Sequence, residues 1–203
     1  HQGLSSGISI EDWKTPFGLV KTDKDLAILL KNKTGLKINE KPHMNEHSIE
    51  VQLPFLQFAN KDLIKEIRIV AVSVGRDVDF NKLGSDLTSL LNKKDVIYIV
   101  STDFTHYGPN YGYVPFTSDI PERLNKLDKE AIDLIKNLEI EKFREFLNKT
   151  HITICGYYPT LLLMKILSES EIKTKGSLLM HYTSADIVGD YKNSVSYASI
   201  LFK

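Results

Sequence analysis

A layered α/β fold is what this sequence predicts. Segments patterned as strands alternate along the chain with segments patterned as helices, the order that layered α/β architectures produce. Residues 96–100, Val-Ile-Tyr-Ile-Val, form a nearly continuous apolar run of the kind buried on both faces of a parallel sheet. The 203 residues are 42% hydrophobic and 26% charged, an ordinary globular composition and enough for one buried core. A single domain over residues 1–203 is expected, since no internal repeat, low-complexity tract or linker interrupts the pattern.

Each element follows from a local signal. Asp23 is placed to cap a helix running to about residue 32, with Leu26, Leu29 and Leu30 on one face and Gly35 marking its end. Residues 67–74, Ile-Arg-Ile-Val-Ala-Val-Ser-Val, are a β-branched run and predict a strand. Asp79 caps the next helix, where Phe80, Leu83, Leu87, Leu90 and Leu91 recur at helical spacing. Residues 109–121, rich in Tyr, Gly and Pro, read as a long surface loop, and loops of that length are often functional. Residues 122–138 and 141–148 predict two amphipathic helices, residues 159–168 a third. Residues 177–182 and 194–202 close the chain as strands.

Composition also excludes classes of function. Lys+Arg and Asp+Glu both number 26, so the formal net charge is zero and gives no electrostatic reason to expect nucleic acid or an anionic membrane as partner. The longest apolar runs, such as 96–100 and 161–164, are far too short to cross a bilayer. No signal peptide is recognisable, and Cys155, the single cysteine, cannot form an internal disulfide, which together fit a cytoplasmic protein. The start, His1-Gln2-Gly3-Leu4-Ser5-Ser6-Gly7, reads like the tail of a loop, so a processed chain or one beginning inside a longer protein is expected.

Three segments carry candidate chemistry. Ser101-Thr102-Asp103-Phe104-Thr105-His106-Tyr107-Gly108 follows directly on the apolar run 96–100, and ligands gather beyond the carboxyl ends of strands in open α/β sheets. A carboxylate at Asp103 near the imidazole of His106 suits a general base or a metal ligand; turn capping and packing explain the pair equally well from the residues alone. In residues 45–54, Asn-Glu-His-Ser-Ile-Glu-Val-Gln-Leu-Pro, a helix would place His47 and Glu50 three apart on one face, to support a site around its metal or substrate. A helix start with Glu46 and Glu50 favouring the dipole is the simpler account. The zinc-protease pattern fails, because Met44 follows His43 where a Glu is needed. In the third segment, residues 151–156, Cys155 lies just before an apolar helix, whose N-terminus favours a thiolate, a good ligand for zinc, iron or copper. Burial of a free cysteine in the core explains it more simply. His181 reads as a packed or surface residue of a strand, and His43 as solvated. Tyr107, Tyr111, Tyr113 and Phe116 line a pocket mouth or pack their own loop. No Gly-rich phosphate cradle is found.

Together the motifs resemble the Memo family, also called the AmmeMemoRadiSam system protein B family. The matching residues run the length of the chain: His1-Gln2-Gly3, like the end of the family's Gly-Pro-Asn-His segment; Trp13-Lys14-Thr15-Pro16-Phe17-Gly18; Glu46-His47-Ser48-Ile49-Glu50 with Leu53-Pro54-Phe55; the segment 101–108; Ile154-Cys155-Gly156; and Ser194-Val195-Ser196-Tyr197-Ala198. The resemblance implies a layered α/β/α domain with a central mixed, largely parallel sheet, similar to class III extradiol dioxygenases. It implies a metal pocket of His1, His106 and Cys155, the cysteine standing where the dioxygenases have a carboxylate, with Asp103 and His106 in acid/base roles; the reading of the residues themselves adds His47, Glu50 and Tyr107 around them. The family's upstream His-Ala-Gly-Tyr segment, which supplies a further histidine, has no counterpart here.

A thiolate in place of a carboxylate softens such a site toward copper, redox-active iron or zinc. An iron- or copper-dependent oxidoreductase is therefore one expectation. A non-catalytic binding or signalling module is the other, because relatives are associated with phosphopeptide binding or, by family name, with a radical S-adenosylmethionine partner. Were His1 the mature N-terminus, its amine and ring would clamp copper together.

Overall fold

The computed structural model describes residues 5–91 and 96–203. The chain divides into two compact units, His1–Ser101 and Thr102–Lys203.

In the first unit the strands are short: β1 (Gly7–Ile8), β2 (Trp13–Thr15) and β3 (Gly18–Thr22). Then come α1 (Lys24–Thr34), α2 (Leu53–Ala59), β4 (Arg68–Ile69), β5 (Val72–Ser73) and α3 (Phe80–Leu91). The capping signals act as the sequence predicts. Asp23 accepts the Leu26 N–H at 2.9 Å, and Gly35 ends α1 in the left-handed conformation with its N–H on the Lys31 carbonyl. Asp79 accepts the N–H groups of Asn81 and Lys82 at the start of α3. The core gathers Ile8, Val20, Ala27, Leu30, Leu53 and Leu83.

The single strand predicted over residues 67–74 is two. β4 pairs with β3 and β5 with β1, so the chain changes partner at Val70–Ala71. A β-branched run fixes extended backbone but not which neighbour it meets. Residues 96–100 differ more: they are assigned no strand, Ile97 is 89% exposed and Ile99 54%, and Tyr98 between them is half-buried, its phenol pushed up to about 12 by burial. The alternation is that of a segment covered on one face, not both.

His43, expected in solvent, is buried instead. Its Nε2 lies 3.1 Å from the Gly7 carbonyl, which can only accept, so Nε2 carries the proton. The ring meets Trp13 edge to face at 5.9 Å between centroids. Burial holds this imidazole below its ordinary 6.5 against the opposing pull of the Gly7 carbonyl, so the folded chain keeps it neutral where the unfolded chain would charge it. The contribution of His43 to stability is then complete above 6.5 and is lost as pH falls from there through the folded value. The drop in Tm between about pH 7 and pH 5 is expected to be smaller in His43→Asn than in wild type. Parallel Tm–pH curves for the two proteins would remove His43 from this account.

The second unit contains β6 (His106–Tyr107), α4 (Ile120–Lys136), α5 (Ile140–Thr150), α6 (Tyr157–Glu169), β7 (Gly176–Thr183), α7 (Ser184–Val188) and β8 (Ser194–Phe202). Its sheet runs β6-β8-β7, antiparallel throughout, and α4 packs on β7 and β8. Leu124, Ala131, Ile132 and Ile135 line the buried stripe of α4; Phe143 and Phe146 come from α5, and Leu161, Leu162, Met164 and Ile166 from α6. α7 is capped by Thr183 and Asp186 in a reciprocal capping box.

The class is mixed α/β, as the alternation predicts. The sheets are small, and among the described residues β3–β4 is the only parallel pairing of named strands. Short connections such as Pro16-Phe17 between β2 and β3 permit only antiparallel neighbours, whereas a parallel pair needs a long crossover. No helix among the described residues is long and apolar enough to cross a membrane.

Candidate metal centre

The second unit brings two predicted segments side by side. His106 donates its N–H to the Thr153 hydroxyl at 2.8 Å, and that hydroxyl donates back to the His106 carbonyl at 2.9 Å. Nearby, the Asp103 N–H donates to Cys155 Sγ at 3.2 Å, and the Gly156 N–H to the Thr102 hydroxyl at 2.8 Å. The Thr102 hydroxyl donates to the Asp103 carbonyl and lies 3.7 Å from the sulfur. The two threonines therefore tie the segments together mainly through backbone groups.

The result is a three-donor cluster. One ligand atom each from Asp103, His106 and Cys155 lies within 4.8 Å of the others. His106 Nδ1 sits 3.0 Å from the Phe104 carbonyl and 2.9 Å from the Thr153 carbonyl. Both are acceptors, so Nδ1 carries the hydrogen and the neutral ring presents its Nε2 lone pair, the tautomer that a metal or a proton donor requires. Asp103 Oδ2 is 3.7 Å from Nε2. The side chains of His106 and Asp103 are 21% and 34% exposed, so the cluster is partly covered yet reachable.

Of the other predicted site residues, Tyr107 is buried, stacks on Phe116 at 5.3 Å and donates its hydroxyl to the Phe116 carbonyl. His47 and Glu50 belong to the first unit, where Glu50 begins a short 3-10 turn and the His47 ring is well exposed near the Glu46 carboxylate. His1 lies outside the described residues. Sequence reasoning gave no role of their own to Thr102 and Thr153, which hold the segments, nor to Tyr197. The Tyr197 phenol is raised by burial and then by the charge of Asp103, which places it in the electrostatic reach of the cluster. Tyr111 meets the His106 ring edge on at 5.3 Å. The Tyr-rich loop was the available signal for Tyr111; nothing local distinguishes the two threonines.

A mixed α/β protein in which a cysteine sulfur, an imidazole and a carboxyl group converge on one point is the class that fold and site define. A family model described as Memo-like protein matches residues 1–201. The chain is 34% identical over 215 residues to a MEMO1 family protein of Thermococcus onnurineus, covering all of this chain and 73% of that relative. It is 36% identical over 211 residues to one from Methanococcus maripaludis and 32% over 214 to one from Methanopyrus kandleri, covering all of this chain and 70% and 69% of those relatives. The chain belongs to the Memo-like protein family, as its motifs resemble.

Proposed function

We propose that the chain holds one redox-active transition-metal ion, iron or copper, at Asp103, His106 and Cys155, and serves a non-haem oxidoreductase related in layered architecture to the class III extradiol dioxygenases. The observation that carries this reading is the convergence of three donor atoms within 4.8 Å from residues up to 52 positions apart in the chain. The donor set fits such an ion: thiolate is a soft ligand and imidazole suits iron, copper and zinc alike. Bound there, the ion would supply Lewis acidity and one-electron chemistry toward a substrate and dioxygen.

The chain's own residues do the rest. Cys155 anchors, its sulfur fixed by the Asp103 N–H. The two carbonyls at Nδ1 lock the His106 ring so that Nε2 faces the site. Asp103 Oδ2 lies 3.7 Å from Nε2, close enough for both to reach one ion and for the carboxyl group to exchange a proton with a substrate hydroxyl beside it. Tyr111 packs edge-on against the imidazole and adds a second contact to the ring.

Iron- or copper-loaded protein is expected to consume oxygen when given a catechol, read with an oxygen electrode against the metal-free protein. Metal uptake without oxygen consumption would favour a binding role for the same pocket. Absence of uptake rejects the reading altogether.

A further inference from the structure

We propose that Asp128 is a positioning residue for the metal centre, acting through Thr105 on the strand that delivers His106, with His181 holding it in place. This rests on the metal reading above. Asp128 lies in α4 and is fully buried, as is Thr105. Its Oδ1 accepts the Thr105 hydroxyl at 2.5 Å and its Oδ2 faces His181 Nε2 at 3.1 Å. A buried carboxylate is tolerated only where its oxygens are matched by donors. One partner per oxygen, in a group with no access to water, leaves little freedom to either side.

The sheet register shows why this fork bears on the site. The Thr105 carbonyl accepts the Ser196 N–H; Ser196 opposes Thr183, and Ala198 opposes His181. Thr105, Ser196, Thr183 and His181 therefore share the sheet face on which α4 packs. His106 opposes Val195, one position along, and faces the other side, toward the cluster. Successive residues are thus pinned: the Thr105 side chain by Asp128 on the α4 face, and the His106 backbone N–H and carbonyl by the Thr153 hydroxyl. β6 is only two residues long, so its ladder alone holds it weakly. β7 reaches this arrangement through an irregularity. Leu178 opposes Ile200 but Met180 opposes Ser199, so the inward face passes from even-numbered to odd-numbered residues. Leu179 and Met180 both turn to solvent and His181 turns to Asp128.

The test is cobalt(II) binding, read as affinity by chelator competition and as the d–d absorption spectrum, beside the Tm of the metal-free protein. Thr105→Val removes the hydroxyl at nearly constant shape. It is expected to lower cobalt affinity about 10–100-fold and to alter the spectrum, the usual scale for losing a partner that orients a ligand. Thr105→Ser restores the hydroxyl and is expected to recover wild-type affinity and spectrum. If Thr105→Val does not fold, Asp128→Asn decides: it keeps the shape but replaces one of the two acceptor oxygens with an NH2 donor, and should shift affinity the same way by less. A variant with lowered Tm but wild-type affinity and spectrum overturns the proposal, because the fork then serves folding alone. Wild-type protein that takes up no cobalt overturns the metal reading and this inference with it; uptake by wild type and by the variants alike overturns this inference only.

Discussion

Cys155→Ala is expected to lower the metal affinity of the protein by more than about 100-fold. Changes to groups that only orient a ligand cost about 10–100-fold, and loss of a direct donor should exceed that. Cys155 contributes the one soft donor of the cluster, and no other cysteine exists in the chain to replace it. Its removal also leaves the Asp103 N–H without its acceptor, which loosens the backbone that carries the carboxylate. Cys155→Ser, which keeps a harder and weaker donor, is expected to fall between wild type and alanine. The measurement is the metal-to-protein ratio after equilibration with iron(II) or copper(I) and gel filtration. A ratio unchanged in Cys155→Ala removes the sulfur from the centre and, with it, the proposed function.

Gly108→Ala is expected to destabilise the protein by about 2–6 kcal/mol, the sum of backbone strain and overpacking of about 1–3 each. Gly108 adopts φ 123°, a region that side chains rarely enter. A Cβ there would lie 2.2 Å from the Lys192 carbonyl and 2.7 Å from Asn193 Oδ1, in the turn that leads directly into β8. Gly112 closes the same loop at φ 66° but has open space where its Cβ would go. Gly112→Ala should therefore cost only the left-handed strain, about 1–2 kcal/mol. Urea unfolding of the two variants separates the terms. Equal losses would show that the close approach to Lys192 relaxes at no cost. Because Gly108 follows the strand that carries His106, the larger loss should be accompanied by weaker metal binding.

The candidate site was legible in the sequence to an uneven degree. Asp103 and His106 stood out by residue type and by following a run read as a buried strand, with turn capping an equal account; residues 96–100 form no such strand, yet the structure places Nε2 and Oδ2 3.7 Å apart. Cys155 read more simply as a core residue. It joins the cluster because the Thr102 and Thr153 hydroxyls draw its segment against residues 102–106, and such cross-chain bonds leave no periodic trace. His43 looked solvated because its neighbours in sequence are polar, yet Trp13 and the Gly7 carbonyl enclose it from thirty or more residues away. His181 looked like an unremarkable strand residue, and its contact with a buried carboxylate depends on a bulge no alternation pattern revealed.

What the sequence determined by itself is local: the caps at Asp23 and Asp79, the end of α1 at Gly35, the buried stripe of α4, and the types of donor atom available to a metal. These depend on backbone geometry within a turn or two, which neighbouring residues set. Tertiary structure alone decided the strand partners, the division of residues 67–74 between β4 and β5, the inward turn of His181, and the meeting of sulfur, imidazole and carboxylate. The reason is physical: a strand's hydrogen bonds and a ligand's neighbours are supplied by other parts of the chain, so their geometry exists only once those parts have packed.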